Sequence, residues 1–522
     1  MIEFNPIELE IFKNIFISIA EEMGVVLGRT AFSPNIKERK DFSCALFNRE
    51  GETFAQGSHI PVHLGAMPLS VQAALAQIKL FPGDTVILND PYQGGTHLPD
   101  ITCISPLFIG HRLLFLVANR AHHSDVGGMT PGSMPLATTI FQEGLIIPPL
   151  KIISKGKMNE NLFKLILANV RTAEEREGDL RAQLAANEIG KERLKEVIKR
   201  YGLEKILQYA KYIQTYTEKI LREVISSIPD GRYFFQDYLD DDGISDQPIK
   251  IAVELTIKKD EVSIDFSQSS PQVDGNINAN YAVTLSAVLY VFRSLIEEDI
   301  PFNTGLIKPI KINVPSGSVV NATFPAAVAG GNVETSQRIV DVLLGALSQA
   351  IPEKIPAASS GTMNNIAFGG YSPEKRMNFA YYETVGGGMG ANSKYPGLSG
   401  VHTHMTNSLN TPIEALEAYL PIKINRYCLR KGSSGKGKNR GGEGIIREYE
   451  FQVPIEVTII SERRKFSPYG LLGGKPGKKG KNILITKGKR INLNSKVNLK
   501  VNPRDKLIIE TPGGGGYGQE KE

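Results

Sequence analysis

The chain has 522 residues, 41% of them hydrophobic and 22% charged, which is enough for roughly two to four domains with ordinary globular cores. No run approaches the ~18 apolar residues of a membrane span, and the N-terminus lacks a signal-peptide pattern. Three cysteines, a small and odd number, argue against a disulfide framework and favour a reducing compartment. We therefore expect a cytoplasmic protein without a membrane partner.

The net charge of +5 is unevenly distributed along the chain. Residues 423–490 hold 18 Lys and Arg against 5 Asp and Glu, a net +13, which leaves −8 for the rest of the chain. A basic patch suits nucleic acid, an anionic substrate or an acidic partner. No aromatic residues interleave with these lysines and no nucleic-acid module surrounds them, so we expect solvated loops and no nucleic acid.

The first elements predicted along the chain are a helix and a hairpin. Asn5-Pro6 is typical of a helix start, and a row of isoleucines follows at helical spacing: Ile7, Ile11, Ile15 and Ile19. Residues 42–47 and 52–56 predict a β-hairpin with Gly51 in the left-handed conformation. Further strands are predicted at 85–88, 101–109 and 112–119.

The rest of the chain predicts long helices from 160 to about 228, strands from Gly231, a helix around 281–297 and a β-rich tail from about 420. The sum is a multi-domain α+β protein with mixed strands, long helices and a β-rich C-terminal region. We divide it into an N-terminal α+β domain (1–230), a central α+β domain (231–420) and a basic, β-rich C-terminal domain (421–522).

A second predicted hairpin brings histidines and an aspartate together. Its strands, 101–109 and 112–119, are separated only by Gly110-His111, a two-residue turn. With regular pairing, Asp100 lies opposite Ala121. The loops at the far end of this hairpin hold the candidate polar side chains: His97, Asp100, His122 and His123.

Five of the eight histidines lie between His59 and His123, besides the turn residue His111. Neutral imidazoles and carboxylates are the ligands of Zn²⁺, Mn²⁺ or Fe²⁺, so this region predicts a divalent-metal site within the N-terminal domain. If side chains alternate regularly along the strand, His123 lies on the same face of the sheet as Asp100. A bulge would place His122 on that face instead. Only one of the two is expected to bind the metal, and the other to act as acid, base or orienting partner.

Nine motifs resemble the hydantoinase B family: SPNIKERKDFSCALF, HIPVHLGAMP, NDPYQGGTHLPD, NRAHHSDVGG, NVRTAEEREGDLRAQLAAN, GNVETSQR, MTNSLNTPIEALE, RGGEGIIREYEF and TPGGGGYG. The resemblance runs from about residue 5 to residue 518. That family comprises the B-type polypeptides of ATP-dependent hydantoinases and 5-oxoprolinases, and the related large subunits of acetone and acetophenone carboxylases. It implies a hetero-oligomer with a hydantoinase A-type subunit. ATP bound there activates a carbonyl or enol oxygen as a phosphate ester, and the B-type subunit supplies a metal centre.

The carboxylase relatives imply a metal held by a carboxylate at the start of the first hairpin, an H-x-x-D pair and a later histidine. The matching positions are Asp41, His97, Asp100 and His122. Asp41 is shorter than the glutamate expected in the carboxylases, so an ordinary polar residue before a strand is the alternative for it. Glu38 is then the substitute ligand.

Two glycine-containing motifs concern other ligands. GSSGKGKN (432–439) resembles a phosphate-binding P-loop, but Asn439 replaces the Ser or Thr that binds Mg²⁺, and a strand is predicted after it. We reject it, which fits a subunit that leaves ATP to its partner. GNVETSQR places Glu334 and Arg338 four residues apart, either as a substrate-binding pair or as a surface ion pair.

Three functions remain open. The first is the B-type subunit of an ATP-dependent hydrolase that opens a five-membered cyclic amide such as 5-oxoproline or a hydantoin. The second is the large subunit of a ketone carboxylase, and the third is a non-catalytic scaffold. AHHSDVGG and Asp41 favour the hydrolase. In that reaction His123 or His63 is the predicted catalytic proton shuttle as the ring nitrogen leaves, with an orienting role as the alternative for each.

Overall fold

A computed structural model describes residues 5–520, which form helices and sheets in mixed order. The helices are α1 (Pro6–Thr30), α2 (Pro34–Lys37), α3 (Ala66–Gln77), α4 (Glu160–Ala168), α5 (Ala173–Tyr201), α6 (Leu203–Ser226), α7 (Tyr281–Ser294), α8 (Ser336–Ala350) and α9 (Ile413–Tyr419). This architecture confirms the predicted multi-domain α+β class and the long helices after residue 160. Among the described residues, no helix is long and apolar enough to cross a membrane.

The strands in the described part of the chain form four sheets. They are β1 (Phe42–Asn48), β2 (Thr53–Gln56), β3 (Thr85–Leu88), β4 (Asp100–Ile109), β5 (Arg112–His122), β6 (Leu150–Ser154), β7 (Lys157–Met158), β8 (Gly231–Leu239), β9 (Ile249–Lys258), β10 (Glu261–Asp265), β11 (Ile310–Asn313), β12 (Asn365–Ser372), β13 (Met377–Thr384), β14 (Ile422–Arg430), β15 (Gly444–Phe451), β16 (Ile455–Ile460), β17 (Lys481–Thr486), β18 (Lys489–Leu493), β19 (Lys496–Val501) and β20 (Lys506–Glu510).

Helix α1 begins as predicted but buries a different face. The Asn5 side chain accepts hydrogen bonds from the backbone N–H groups of Ile7 and Glu8, and proline occupies the first turn. Ile7 and Ile11 are 71% and 45% exposed, so the isoleucine row is not the packing stripe. The buried stripe instead contains Leu9, Phe12, Phe16, Ile19, Met23 and Leu27. The aromatic rings of this stripe are larger than the isoleucine side chains and pack against α6, where Phe12 stacks on Tyr209.

The N-terminal sheet has the order β2-β1-β5-β4-β3-β6-β7 and lies between two helical layers. Alternate residues of its central strands pack on α1, α5 and α6, and the intervening residues pack on α3. Both predicted hairpins are present, with Gly51 left-handed at φ 81° and the second turn at Gly110-His111. This sheet positions the candidate site at one end of β4 and β5.

The register of the β4–β5 hairpin differs from the regular pairing. A bulge between Leu107 and Phe108 shifts the partners by one residue, so Asp100 lies opposite His122 rather than Ala121. The predicted pairing of Asp100 with Ala121 is therefore wrong. Because side chains alternate along a strand, the shift places His122 on the face of Asp100, the α3 side, and turns His123 towards α5.

The remaining sheets have the orders β11-β10-β9-β8, β13-β12-β16-β19 and β14-β15-β20-β17-β18. Helices α7 and α8 share a core with the first of these. Strand β12 pairs with β16 across residue 420, so strands from both sides of that position share a sheet. The division of the chain into three domains stays a prediction.

Glycine-rich segments of the C-terminal half pack backbone against backbone. The tail TPGGGGYG (511–518) forms hydrogen bonds with several other extended segments, for example from Gly514 N–H to Gly442 and from Gly435 N–H to Gly514. These packed segments together form a glycine-rich bundle. The P-loop-like residues 432–439 belong to it, and β15 follows them. A strand therefore stands where a phosphate-binding loop requires a helix, so these residues lack the frame of a P-loop.

Candidate metal centre

Three ligand atoms meet at the end of the β4–β5 hairpin. His97 lies in the loop before β4, Asp100 begins β4, and His122 ends β5. His97 Nε2, His122 Nδ1 and Asp100 Oδ1 lie 3.2 Å from one another in all three pairs. All three side chains are buried, with at most 3% exposure. Within residues 5–520, His97, Asp100 and His122 form the group of His, Cys, Asp or Glu side chains whose ligand atoms lie close enough together to hold one metal ion.

The donor set fits a divalent transition metal. Zn²⁺ binds imidazole nitrogen and carboxylate oxygen at about 2.0–2.2 Å, so two donors on one ion are separated by about 2.8 Å at an octahedral angle to about 3.6 Å at a tetrahedral angle. The 3.2 Å triangle matches that separation. Asp100 Oδ1 is buried and has no hydrogen-bond partner among the described residues, although two imidazole nitrogens adjoin it. Two histidines and one carboxylate also form the facial triad of non-haem iron sites.

The protonation states suit metal binding. Burial on its own raises the pKa of Asp100, but attraction to His97 and His63 outweighs it and holds that pKa well below its usual range. Burial lowers the pKa of His122. An ionised carboxylate beside a neutral imidazole is the form that a metal ion requires at neutral pH.

His63 supports Asp100 from the side away from the other two ligands. Its Nε2 lies 3.2 Å from Asp100 Oδ2, and its Nδ1 lies 2.9 Å from Ser43 Oγ. Thr96 donates a further hydrogen bond to Asp100 Oδ2. A chain of this kind fixes the direction of a ligating carboxylate, so the geometry of His63 is that of an orienting partner.

The structure does not bring Asp41 into the three-residue cluster. Its backbone oxygen accepts a hydrogen bond from His122 N at 2.9 Å, whereas its side chain is turned towards Arg39, with Oδ2 3.8 Å from Nη1. The substitute, Glu38, is half-buried at the end of α2. Asp41 thus borders the site through its main chain.

His123 lies on the other side of the sheet from the cluster. Its Nε2 is 2.9 Å from Gln183 Oε1 on α5. Burial, with the nearby Arg176 guanidinium, lowers the pKa of His123 to about 4. The structure therefore brings His63 next to the cluster and leaves His123 outside it.

Glu334 and Arg338 are both fully buried, so the surface ion-pair alternative is wrong. Glu334 lies in a π-helical turn, Gly331–Thr335, and accepts hydrogen bonds from Asn365 and the backbone of Met363. Burial raises the pKa of Glu334 to about 8. Arg338 instead pairs with two aspartates, Asp237 at 3.1 Å and Asp341 at 2.9 Å.

The aromatic neighbour of the cluster, Tyr382, was not predicted from the sequence. The Tyr382 ring of β13 stacks on His122, with centroids 4.5 Å apart and planes inclined by 16°. Tyr382 is far from His122 in the sequence, and no local pattern predicts contact between the two residues. Thr96 was also not predicted, although it lies directly before His97 in the motif NDPYQGGTHLPD.

Comparisons with known proteins extend the resemblance seen in the motifs. The model of the Hydantoinase B/oxoprolinase family matches residues 5–520. The chain is 43% identical to 5-oxoprolinase 1 of Arabidopsis thaliana, over 98% of this chain and 42% of that protein. It is 31% identical to the B component of a putative D-/L-hydantoinase of a Pseudomonas species, over 100% of this chain and 91% of that one. The chain thus spans less than half the length of 5-oxoprolinase 1.

Two solved structures share the fold. The ATP-dependent caprolactamase from Pseudomonas jessenii superposes with a TM-score of 0.92 at 28% identity, covering 99% of this chain and 91% of that one. Acetone carboxylase in its nucleotide-free form also gives a TM-score of 0.92, at 19% identity, covering 99% and 76%. That second likeness concerns the fold alone. From the full-length family match, this chain belongs to the hydantoinase B/oxoprolinase family.

Proposed function

We propose that this chain is the B-type polypeptide of an ATP-dependent enzyme that opens a cyclic amide such as 5-oxoproline or a hydantoin. The buried cluster of two histidines and one carboxylate carries the proposal. The names of the relatives support it, because 5-oxoproline, hydantoin and caprolactam are all cyclic amides.

In this proposal His97, Asp100 and His122 hold a divalent ion, with Mn²⁺, Zn²⁺ and Fe²⁺ as candidates. Such an ion supplies Lewis acidity towards a carbonyl or phosphoryl oxygen. His63 keeps the Asp100 carboxylate in place and, through Ser43 Oγ, has a second hydrogen-bonding partner for moving a proton. His63 is therefore the better placed of the two predicted proton shuttles, since His123 faces Gln183.

The ATP site is proposed to lie on an A-type partner. Residues 432–439 lead into strand β15, which leaves no helix N-terminus there to bind phosphate. The name of the hydantoinase relative describes one component of a larger enzyme, and 5-oxoprolinase 1 has more than half of its length outside the matched region. The first observation supports a hetero-oligomer in which a second polypeptide activates the amide. The second supports an activating region outside the matched part, which in 5-oxoprolinase 1 belongs to the same polypeptide.

The experiment is to reconstitute the chain with an A-type polypeptide and measure ADP release with 5-oxoproline, hydantoin and caprolactam. We expect ADP release that depends on a cyclic amide and is lost with the Asp100→Ala chain. Asp274→Ala, which removes an exposed aspartate, is the matched control and should keep activity. Consumption of bicarbonate with a ketone, and no response to any cyclic amide, would establish the carboxylase alternative instead.

A further inference from the structure

The imidazole of His122 lacks the hydrogen bond that ordinarily fixes a metal ligand. A ligating histidine usually donates from its second ring nitrogen to a carboxylate, a carbonyl or water. His122 Nε2 is buried and has no hydrogen-bond partner among the described residues. The torsion that turns an imidazole is broad and poorly fixed by itself. Something else must therefore hold His122 Nδ1 towards Asp100.

The stacked ring of Tyr382 provides that restraint. It lies nearly parallel to the imidazole at 4.5 Å, so rotation of His122 would drive its edge into the aromatic face. Tyr382 is itself restrained at both ends. Its hydroxyl donates to Asn365 Oδ1 at 2.7 Å, and its backbone oxygen accepts from Arg39 Nη1 at 3.1 Å.

Asn365 is held in turn by a buried carboxyl group, that of Glu334. In strand β12, Ala367 lies directly opposite Tyr382, and Asn365 is two residues away from Ala367. Asn365 therefore lies diagonally across from Tyr382. Its amide nitrogen donates to Glu334 Oε1 at 2.6 Å and to the Ile460 carbonyl at 2.8 Å, which fixes which way the amide faces. Glu334 reaches this position from the π-helical turn Gly331–Thr335, a distortion that is frequent at functional sites.

We propose that Glu334 and Tyr382 are positioning residues for the metal ligand His122. Glu334 fixes the Asn365 amide, Asn365 fixes the Tyr382 ring, and that ring holds the imidazole with Nδ1 towards Asp100 Oδ1. Glu334 thus belongs to the support of the metal centre and not to the substrate contacts. The inference rests on the metal site of the proposed function and is independent of which amide is opened.

Tyr381 offers a matched control one residue away. Both tyrosines are buried in β13, but Tyr381 faces the opposite side of the strand and belongs to a different core. Its hydroxyl lies 2.9 Å from Thr411 Oγ1. A leucine at either position removes a buried ring, whereas only the change at Tyr382 removes the stack on His122.

The test measures the Co²⁺ dissociation constant and the visible absorption spectrum of bound Co²⁺, which reports ligand geometry. Tyr382→Leu should weaken binding by about 10- to 100-fold and shift the absorption bands. Tyr381→Leu should leave both as in the wild type, although both variants melt at lower temperature. Glu334→Leu should weaken binding in the same direction, and Glu334→Gln, which keeps an oxygen for Asn365, should restore it.

Wild-type affinity and spectrum in a folded Tyr382→Leu protein would overturn the inference. If Tyr382→Leu does not fold, the two Glu334 variants decide, and equal Co²⁺ binding by Glu334→Leu and the wild type overturns it. Absence of Co²⁺ binding by the wild type would remove the metal site and the inference together. Normal metal binding in a complex that opens no cyclic amide would contradict the proposed function alone and leave the positioning roles standing.

Discussion

A buried carboxyl group without a cationic partner among the described residues, that of Glu143, makes the stability of this protein depend on pH. Glu143 is fully buried and accepts hydrogen bonds from the backbone N–H groups of Val328 and Ala329 through Oε1. Its Oε2 has no hydrogen-bond partner among the described residues. Burial raises the pKa of Glu143 to about 8. The folded protein therefore keeps this side chain protonated at neutral pH.

Replacing this carboxyl by an amide should flatten the pH dependence of stability. Between about pH 4.5 and pH 8 the unfolded chain releases the Glu143 proton and the folded chain keeps it, so the free energy of unfolding falls as pH rises. The slope is about 1.4 kcal/mol per pH unit for one proton. Glu143→Gln removes this contribution, and urea unfolding of both proteins at pH 5.5 and pH 8 measures it.

The comparison with the wild type cancels every other titrating group. Glu143→Gln keeps the oxygen that accepts from Val328 and Ala329 and adds no bulk. We expect the variant to gain stability relative to the wild type as pH rises from 5.5 to 8. Parallel stability curves over that range would show that Glu143 is ionised in the folded protein.

The close backbone packing of the glycine-rich bundle leaves no room for side chains. A Cβ atom at Gly514 would lie 2.0 Å from the Met389 carbonyl oxygen, and neighbouring backbone groups leave it no alternative position. Gly514→Ala should therefore disrupt the tail and lower the melting temperature. We expect a loss of about 1–3 kcal/mol or more, because backbone and not a flexible side chain must move.

Gly28 in α1 provides the control for this prediction. A Cβ there would lie 3.5 Å from the Phe42 ring, an ordinary contact, and alanine favours a helix over glycine by about 1 kcal/mol. Gly28→Ala should keep or raise the melting temperature, as measured by calorimetry. Equal melting of Gly514→Ala and the wild type would mean that the tail is not packed as described.

Across the whole chain, features that depend on local sequence were predictable, whereas contacts between residues far apart in the sequence were not. The α+β class, both hairpins and the gathering of His97, Asp100, His122 and His123 at one end of a hairpin follow from short stretches, since turns and alternation are local properties. Regular alternation placed His123 on the face of Asp100, and only a bulge or the family resemblance pointed to His122. The bulge between Leu107 and Phe108 was not predicted, because the turn Gly110-His111 and the alternation of the two strands are equally compatible with regular pairing. Tyr382 and Asn365 reach the site only through the tertiary fold, which no spacing in the sequence encodes.

The adjacent histidines at the end of β5 allow the most direct test of the metal centre. We would load the purified wild type, His122→Ala and His123→Ala with Mn²⁺ or Zn²⁺, remove free ions by gel filtration and measure metal per chain by mass spectrometry. The expected result is about one ion per chain in the wild type and in His123→Ala, and none retained by His122→Ala, since of these two histidines only His122 faces Asp100. A wild type without metal, or equal retention by both variants, would contradict it.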